Sequence, residues 1–371
     1  MGTIRWILIF ILAAAVSSAQ SPLEQAVTLA REKRYAEARK ALEGVGEPAG
    51  VSQRIAFHRL KAAVASGLGD AATAADEMQL ALALAPEDVS LQMAAAAAEL
   101  QAGRLDAALL LVRAGANTAV GQALLGDIQE KRGQYVEAAK AYQKAVALAP
   151  EREQYRLALA LELVQHYTFE PAIAVLEQAA QLFPKSARIR TLLGIAQYAA
   201  GRYDDAETAL TDALRLDPGL DPVYVYIAQV ALEATGTPSA ATLQVICTRD
   251  PITCAALKSR VALAEGDSTL QAHAVAELQH APKDNSVAHC ELGRVYQADG
   301  KWQGARAELE ACVRLDPTAQ NHYRLGLVYG RLGLEDLAQQ QMELRKVAED
   351  RKSEETAKRQ RAVETFQYLI R

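Results

Sequence analysis

Four cysteines, six histidines and the adjacent aspartates Asp204-Asp205 are the residues of this 371-residue chain with most chemical potential. Cys247 and Cys254 flank the stretch CTRDPITC, and Cys290 and Cys312 follow further on. No C-x-x-C occurs, so a thioredoxin-type redox site and a zinc knuckle both lack their signature. His289 stands beside Cys290, and His322 occupies a comparable place further on. Two such imidazoles could hold a metal ion, but no carboxylate or third histidine has matching spacing, so no metal site is expected. Asp204-Asp205 has the composition of an acid–base pair. Its place at the start of a predicted helix assigns it instead to the unsatisfied N–H groups and the positive dipole end there. H-E-x-x-H, G-x-S-x-G, a Walker loop and G-x-G-x-x-G are all missing. No nucleophile–base arrangement is apparent. The expectation is a non-enzymatic chain with no catalytic residue and no cofactor.

The elements that position these residues recur with a fixed period. Pro150, Pro184 and Pro218 are spaced by 34 residues. Gly126 and Gly194, Gly133 and Gly201, Tyr135 and Tyr203, Ala138 and Ala206, and Ala145 and Ala213 each lie 68 apart, two such periods. Each recurring type has a physical task in a helix-turn-helix unit. Gly126, Gly194, Gly293 and Gly326 fall in the first helix, where a missing side chain lets the second helix approach; the small partners there are Ala138, Ala206, Ala305 and Ala338. Gly133, Gly201, Gly300 and Gly333 fall in the turn, where a left-handed backbone ends the first helix. Glu37, Asp106, Glu137, Asp204, Asp205 and Asp336 open second helices. Pro86, Pro150, Pro184, Pro218 and Pro317 stop them.

A 34-residue period with these residue types resembles the tetratricopeptide repeat. The resemblance implies an all-α chain: an α-solenoid, wound as a right-handed superhelix, of about ten helix-turn-helix units with a C-terminal capping helix. Regular units occupy 119–220 and 286–352, partly degenerate ones 20–118 and strongly eroded ones 221–285. Residues 353–371, dense in alternating charge and ending in an apolar tail, are assigned to the cap; pairing of this helix with a second copy is the alternative. Cys290 then lies on the first helix of its unit and Cys312 on the second, face to face. The bridges expected are Cys247–Cys254 and Cys290–Cys312, the alternative being four small buried side chains.

In the family that the chain resembles, ligand contacts come from first-helix positions near 2, 5, 9 and 12. Carried onto these units, those positions give Asp127, Arg188, Tyr198, Gln229, Arg260, Arg294, Gln297 and Tyr323, with Tyr226 added if the register drifts by one. The ninth positions read Asp127, Leu161, Ile195, Gln229, Arg260 and Arg294. They lack the Lys, Arg and Asn clamp with which some family members hold a chaperone's C-terminal carboxylate. Leu157, Leu161, Val164, Ile195 and Val225 make the middle of this face apolar, and Arg260 and Arg294 make one end basic.

The chain starts MGTIRWILIFILAAAVSSAQ, in which Arg5, an apolar run from Trp6 to Val16 and Ser17-Ser18-Ala19 have the order of a secretory signal peptide cleaved after Ala19. The run is too short to span a bilayer, and no later stretch qualifies, so no stable membrane span is expected after cleavage. Periplasmic or secreted localisation follows. A formal net charge of −5 with no basic block argues against nucleic acid as partner. The functional expectation is a protein–protein interaction scaffold of the cell envelope that binds an extended peptide or partner protein in its concave groove. A rival expectation is an accessory subunit that positions an envelope enzyme or polysaccharide export machinery. Glycan binding calls for aromatic platforms, and the one Trp beyond the signal, Trp302, stands at a helix-packing position.

Overall fold

The computed structural model describes residues 21–234 and 236–370, without side chains at 222, 352 and 354–370. The expected signal segment 1–19 and its cleavage point lie outside the described residues. Among the described residues there are twenty α-helices, a 3-10 turn at Arg113–Gly115 and no strand. The chain divides into two compact units, Met1–Arg132 and Gly133–Arg371. The first holds α1 (Pro22–Arg31), α2 (Tyr35–Leu42), α3 (Val51–Gly67), α4 (Ala71–Ala83), α5 (Val89–Gln101), α6 (Leu105–Val112) and α7 (Ala119–Lys131). The second holds α8 (Tyr135–Leu148), α9 (Glu153–Gln165), α10 (Phe169–Leu182), α11 (Ala187–Ala199), α12 (Tyr203–Leu216), α13 (Asp221–Glu233), α14 (Ala240–Cys247), α15 (Pro251–Glu265), α16 (Ser268–Gln279), α17 (Ser286–Ala298), α18 (Trp302–Leu315), α19 (Ala319–Arg331) and α20 (Glu335–Ile370).

First and second helices begin by different means. Most first helices have a side-chain cap: Asp88, Thr118, Ser186, Asn285 and Thr318 each accept from a backbone N–H of the opening turn. Most second helices have no such cap. The turn before α8, α12, α18 and α20 is left-handed at Gly133, Gly201, Gly300 and Gly333, with φ between 71° and 78°. First-turn carboxylates such as Glu37, Asp106, Glu137 and Asp204-Asp205 lie at the positive end of the helix dipole, and Glu37, Asp106, Glu137 and Asp205 pair with Arg34, Arg132, Lys140 and Arg202. Lys33 and Tyr167 hold the same left-handed turn with φ of 60° and 58°, where a side chain is strained. The terminating prolines follow as expected: α8, α10, α12 and α18 end at Leu148, Leu182, Leu216 and Leu315, two residues before Pro150, Pro184, Pro218 and Pro317.

The packing role of the first-helix glycines holds, with one refinement. A Cβ on Gly194 would stand 2.6 Å from Leu210 and 3.2 Å from the Ala206 carbonyl; on Gly293 it would stand 2.6 Å from Leu309. The residue pressed into the gap is thus the leucine one turn beyond the buried alanine, because side chains lean toward the helix N-terminus. Within the second unit, a large apolar cluster is built from Ala138, Ala160, Ile173, Leu176, Ala179, Ile189 and Leu193.

The eroded stretch keeps its helices by other means. Glu207 of α12 is buried and accepts from Ser239 N at 2.8 Å and Thr242 Oγ1 at 2.7 Å, so it anchors the start of the short α14. Cys247 at the end of α14 is bonded to Cys254 of α15, and Cys290 of α17 to Cys312 of α18, each with Cα atoms 4.8 Å apart. At the C-terminus, residues 353–370, expected as a charged capping helix, are helical. They continue α20, a helix of 36 residues, because no Gly or Pro interrupts it. No helix among the described residues is long and apolar enough to cross a membrane.

Candidate functional site

Within the second unit, the first helices α9, α11, α13, α15, α17 and α19 touch one another in succession, whereas of consecutive second helices α12 and α14 do so, and α20 also reaches α8. Helices that crowd on one side and spread on the other put the first helices on the inner side of the curve. The sequence-predicted site residues Arg188, Tyr198, Tyr226, Gln229, Arg260, Arg294, Gln297 and Tyr323 all belong to these helices. Asp127 belongs to α7 of the first unit, where it is half-buried and engaged.

Two groups form. On α11 and α13, Tyr198 donates to Glu233 at 2.8 Å, and Gln229 Nε2 donates to the Tyr198 oxygen at 2.6 Å and to Glu233 at 3.1 Å. Tyr203 packs beside Tyr198 with centroids 5.9 Å apart. Burial, then the hydrogen bond to Glu233, pushes the Tyr198 hydroxyl well above its usual pKa, so it stays a donor. Val225 and Tyr226 border this group and are exposed, Val225 at 69%.

The second group lies on α15, α17 and α19. Its centre is Glu291, only 3% exposed, which the sequence reading missed because a glutamate at a core position gives no local signal. Arg294 approaches it with Nε at 3.0 Å and with Nη2, and Arg260 with Nε at 3.4 Å. Arg260 also donates from Nη1 to the Leu232 carbonyl at 2.7 Å, closing the end of α13. Burial raises the Glu291 carboxyl; Arg294 and then Arg260 overcome this and hold it below its usual value. Arg324, also missed, faces the same cluster. Burial lowers its guanidinium, and the neighbouring Arg294 and Arg260 lower it further. Beside Arg294 opens a cleft of about 410 Å³ lined by Arg294, Gln297, Ala298, Trp302, Leu327 and Arg331. Trp302 therefore packs as expected and also borders this cleft, with the Arg331 guanidinium 5.8 Å from its ring centre.

The remaining predicted positions scatter. Arg188 is exposed at the start of α11. Tyr323 is 36% exposed and lies under the Arg345 guanidinium of α20, 5.4 Å from its ring. Leu157, expected on the apolar face, is 8% exposed and packs in the core, whereas Leu161 is 46% exposed. His289 and His322 do not meet: each bonds the second helix of its own unit, to Glu308 at 2.6 Å and to Gln341 at 2.8 Å. His58 repeats that register in the first unit, with Glu77 at 2.7 Å. Among the described residues, no three His, Cys, Asp or Glu side chains are grouped as a metal site.

Residues 119–152 and 163–229 match the tetratricopeptide repeat family. Those two stretches carry the tetratricopeptide-repeat pattern. Solved tetratricopeptide-repeat structures are similar at low identity. The C-terminal part of one such protein from Cytophaga hutchinsonii is 17% identical, covering 80% of this chain and 95% of that one, with a TM-score of 0.43. One from Parabacteroides merdae is 14% identical, covering 78% and 98%, with a TM-score of 0.40. YrrB, a tetratricopeptide-repeat protein with an unusual peptide-binding site, is 19% identical, covering 51% and 96%, with a TM-score of 0.38. No curated protein sequence matches the chain. Proteins with tetratricopeptide repeats generally mediate protein–protein interaction.

Proposed function

We propose that this tetratricopeptide-repeat chain is an exported, non-catalytic scaffold that holds an extended segment of a partner protein along the first-helix face of residues 133–371. The observation that carries the reading is the composition of that face. Exposed apolar side chains, Leu161, Val225 and Leu327, stand with the hydrogen-bonded polar groups of Tyr198 and Gln229. An extended peptide needs both: apolar patches for affinity and a few fixed polar groups for register. Export rests on the order of charge, apolar run and small residues at 1–19. It places the partner in the envelope or outside the cell.

The test is position-specific photo-cross-linking in intact cells. A cross-linker at Leu161 or Val225 is expected to capture a partner protein, while one at Leu182 or Leu216, exposed on second helices, captures none. Capture confined to the second-helix positions overturns the reading. Export is checked on the same material, since the mature chain is expected to begin at Gln20; an intact N-terminus at Met1 overturns that part.

A further inference from the structure

We propose that α20 is a dimerisation helix that pairs antiparallel with the α20 of a second copy of this chain, acidic half against basic half. The proposal is independent of what the first-helix face holds.

The outer face of α20 differs from that of other second helices. Counted from the repeated alanine (Ala138, Ala206, Ala338), the positions one before, six after and nine after it are Glu137, Lys144 and Ala147 in α8, and Asp205, Asp212 and Arg215 in α12. In α20 they are Leu337, Leu344 and Val347, and all three are exposed. A row of exposed apolar side chains on a helix is a packing face. The length of α20 is equally unusual. It has 36 residues, whereas α19, which packs against its start, has 13. More than half of α20 therefore runs past that neighbour. A helix without a packed neighbour is marginal in water, so this length calls for another. α20 also reaches α8 of its own chain, which is the competing seat.

Charge and register identify the neighbour as a second α20. Residues 335–350 carry five carboxylates and two cations, net −3. Residues 357–370 carry Lys358, Arg359 and Arg361 against Glu364, net +2. A parallel pair sets like on like; an antiparallel pair sets each acidic half on the partner's basic half. Positions 337, 344, 348, 355, 359, 366 and 370 follow alternating steps of seven and four. This 11-residue period, about 3.67 residues per turn, keeps them on one line along the helix. The line is apolar at both ends, with Leu337 and Leu344 at one and Phe366 and Ile370 at the other. Antiparallel alignment with Lys352 opposite the partner's Glu355 sets Leu337 opposite the partner's Ile370 and Leu344 opposite the partner's Val363. Each contact is made twice about a two-fold axis, as a self-complementary interface requires.

Sedimentation equilibrium of the purified full chain is expected to give twice the chain mass, with dissociation favoured as salt rises. Leu344→Glu, at an exposed position, is expected to give a monomer with an unchanged melting temperature. Two charge-reversed chains supply the second test: Asp336→Lys/Glu343→Lys/Asp350→Lys and Lys358→Glu/Arg359→Glu/Arg361→Glu. Each alone is expected to be monomeric, and their equimolar mixture to restore the dimer. For orientation, a thiol cross-linker is expected to join a Leu337→Cys copy to an Ile370→Cys copy and not to join two Leu337→Cys copies. A monomeric wild type, a dimer that survives Leu344→Glu, a mixture that stays monomeric, or cross-links between two copies of position 337 each overturn the proposal. A monomer in which position 370 cross-links to α8 of the same chain also overturns it, and assigns the helix to the competing seat.

Discussion

At the scale of single residues, the side chains that appeared chemical in the sequence are mostly engaged in building the fold, and the two that matter most for the candidate site were silent. Glu291 shows why. Its carboxylate is nearly inaccessible and held ionised by Arg294 and Arg260. Removing one partner of a buried pair leaves the others uncompensated, so Glu291→Gln is expected to lower stability by about 3 kcal/mol in urea unfolding. The sign with pH follows from the lowered carboxyl: the folded value lies below the ordinary 4.5. The contribution is therefore present above pH 4.5 and is lost as pH falls through the folded value. A Glu291→Gln variant whose acid sensitivity matches wild type would contradict this. The same geometry makes charge reversal at Arg260 or Arg294 a poor probe of binding, since it strikes the Glu291 pair first. A steric prediction belongs here too. Gly194→Ala puts a methyl group 2.6 Å from Leu210 and is expected to destabilise by about 2 kcal/mol. Gly46→Ala, with open space around it, serves as the control; equal effects would refute the close-packing role.

At the scale of the element, the sequence was highly legible. The turn glycines, helix-start carboxylates and terminating prolines all act locally, so their spacing alone locates helices such as α8, α12 and α18. Legibility fails where an element depends on distant partners. The start of α14 depends on Glu207 from the preceding unit, and the cluster at Arg260 gathers residues from three units. No spacing rule announces either. At the end, the charged stretch read as a capping helix is the continuation of α20. The two disulfides make an element-scale prediction. Cys290–Cys312 ties α17 to α18 across 22 residues, and a closed loop of that length is worth about 3 kcal/mol. Reductant is expected to lower the unfolding midpoint of wild type and leave a Cys290→Ala/Cys312→Ala variant unchanged in that region. Four thiols alkylating without denaturant or reductant would rule out both bridges.

At the scale of the whole molecule, stability is a sum of local pieces, because each helix pair packs mainly on its sequence neighbours. Hydrogen exchange is accordingly expected to be uneven. The eight-residue helices α2, α6 and α14 exchange first, and α11–α12 and α17–α18 last; uniform protection along the chain would exclude this picture. The arrangement of the arginine cluster also bears on descent. A repeat gene gains and loses units readily by unequal recombination, and the 34-residue period preserves the packing faces each time. Arg260, Arg294 and Arg324 come one each from three consecutive units, with Glu291, the buried partner of Arg260 and Arg294, on the middle one. Loss of residues 286–318 would splice a well-packed array that has discarded Arg294 and Glu291 together. Such a chain would keep the repeating packing faces and lose the buried ion pairs of Glu291 with Arg294 and Arg260, so the units at this end are not interchangeable.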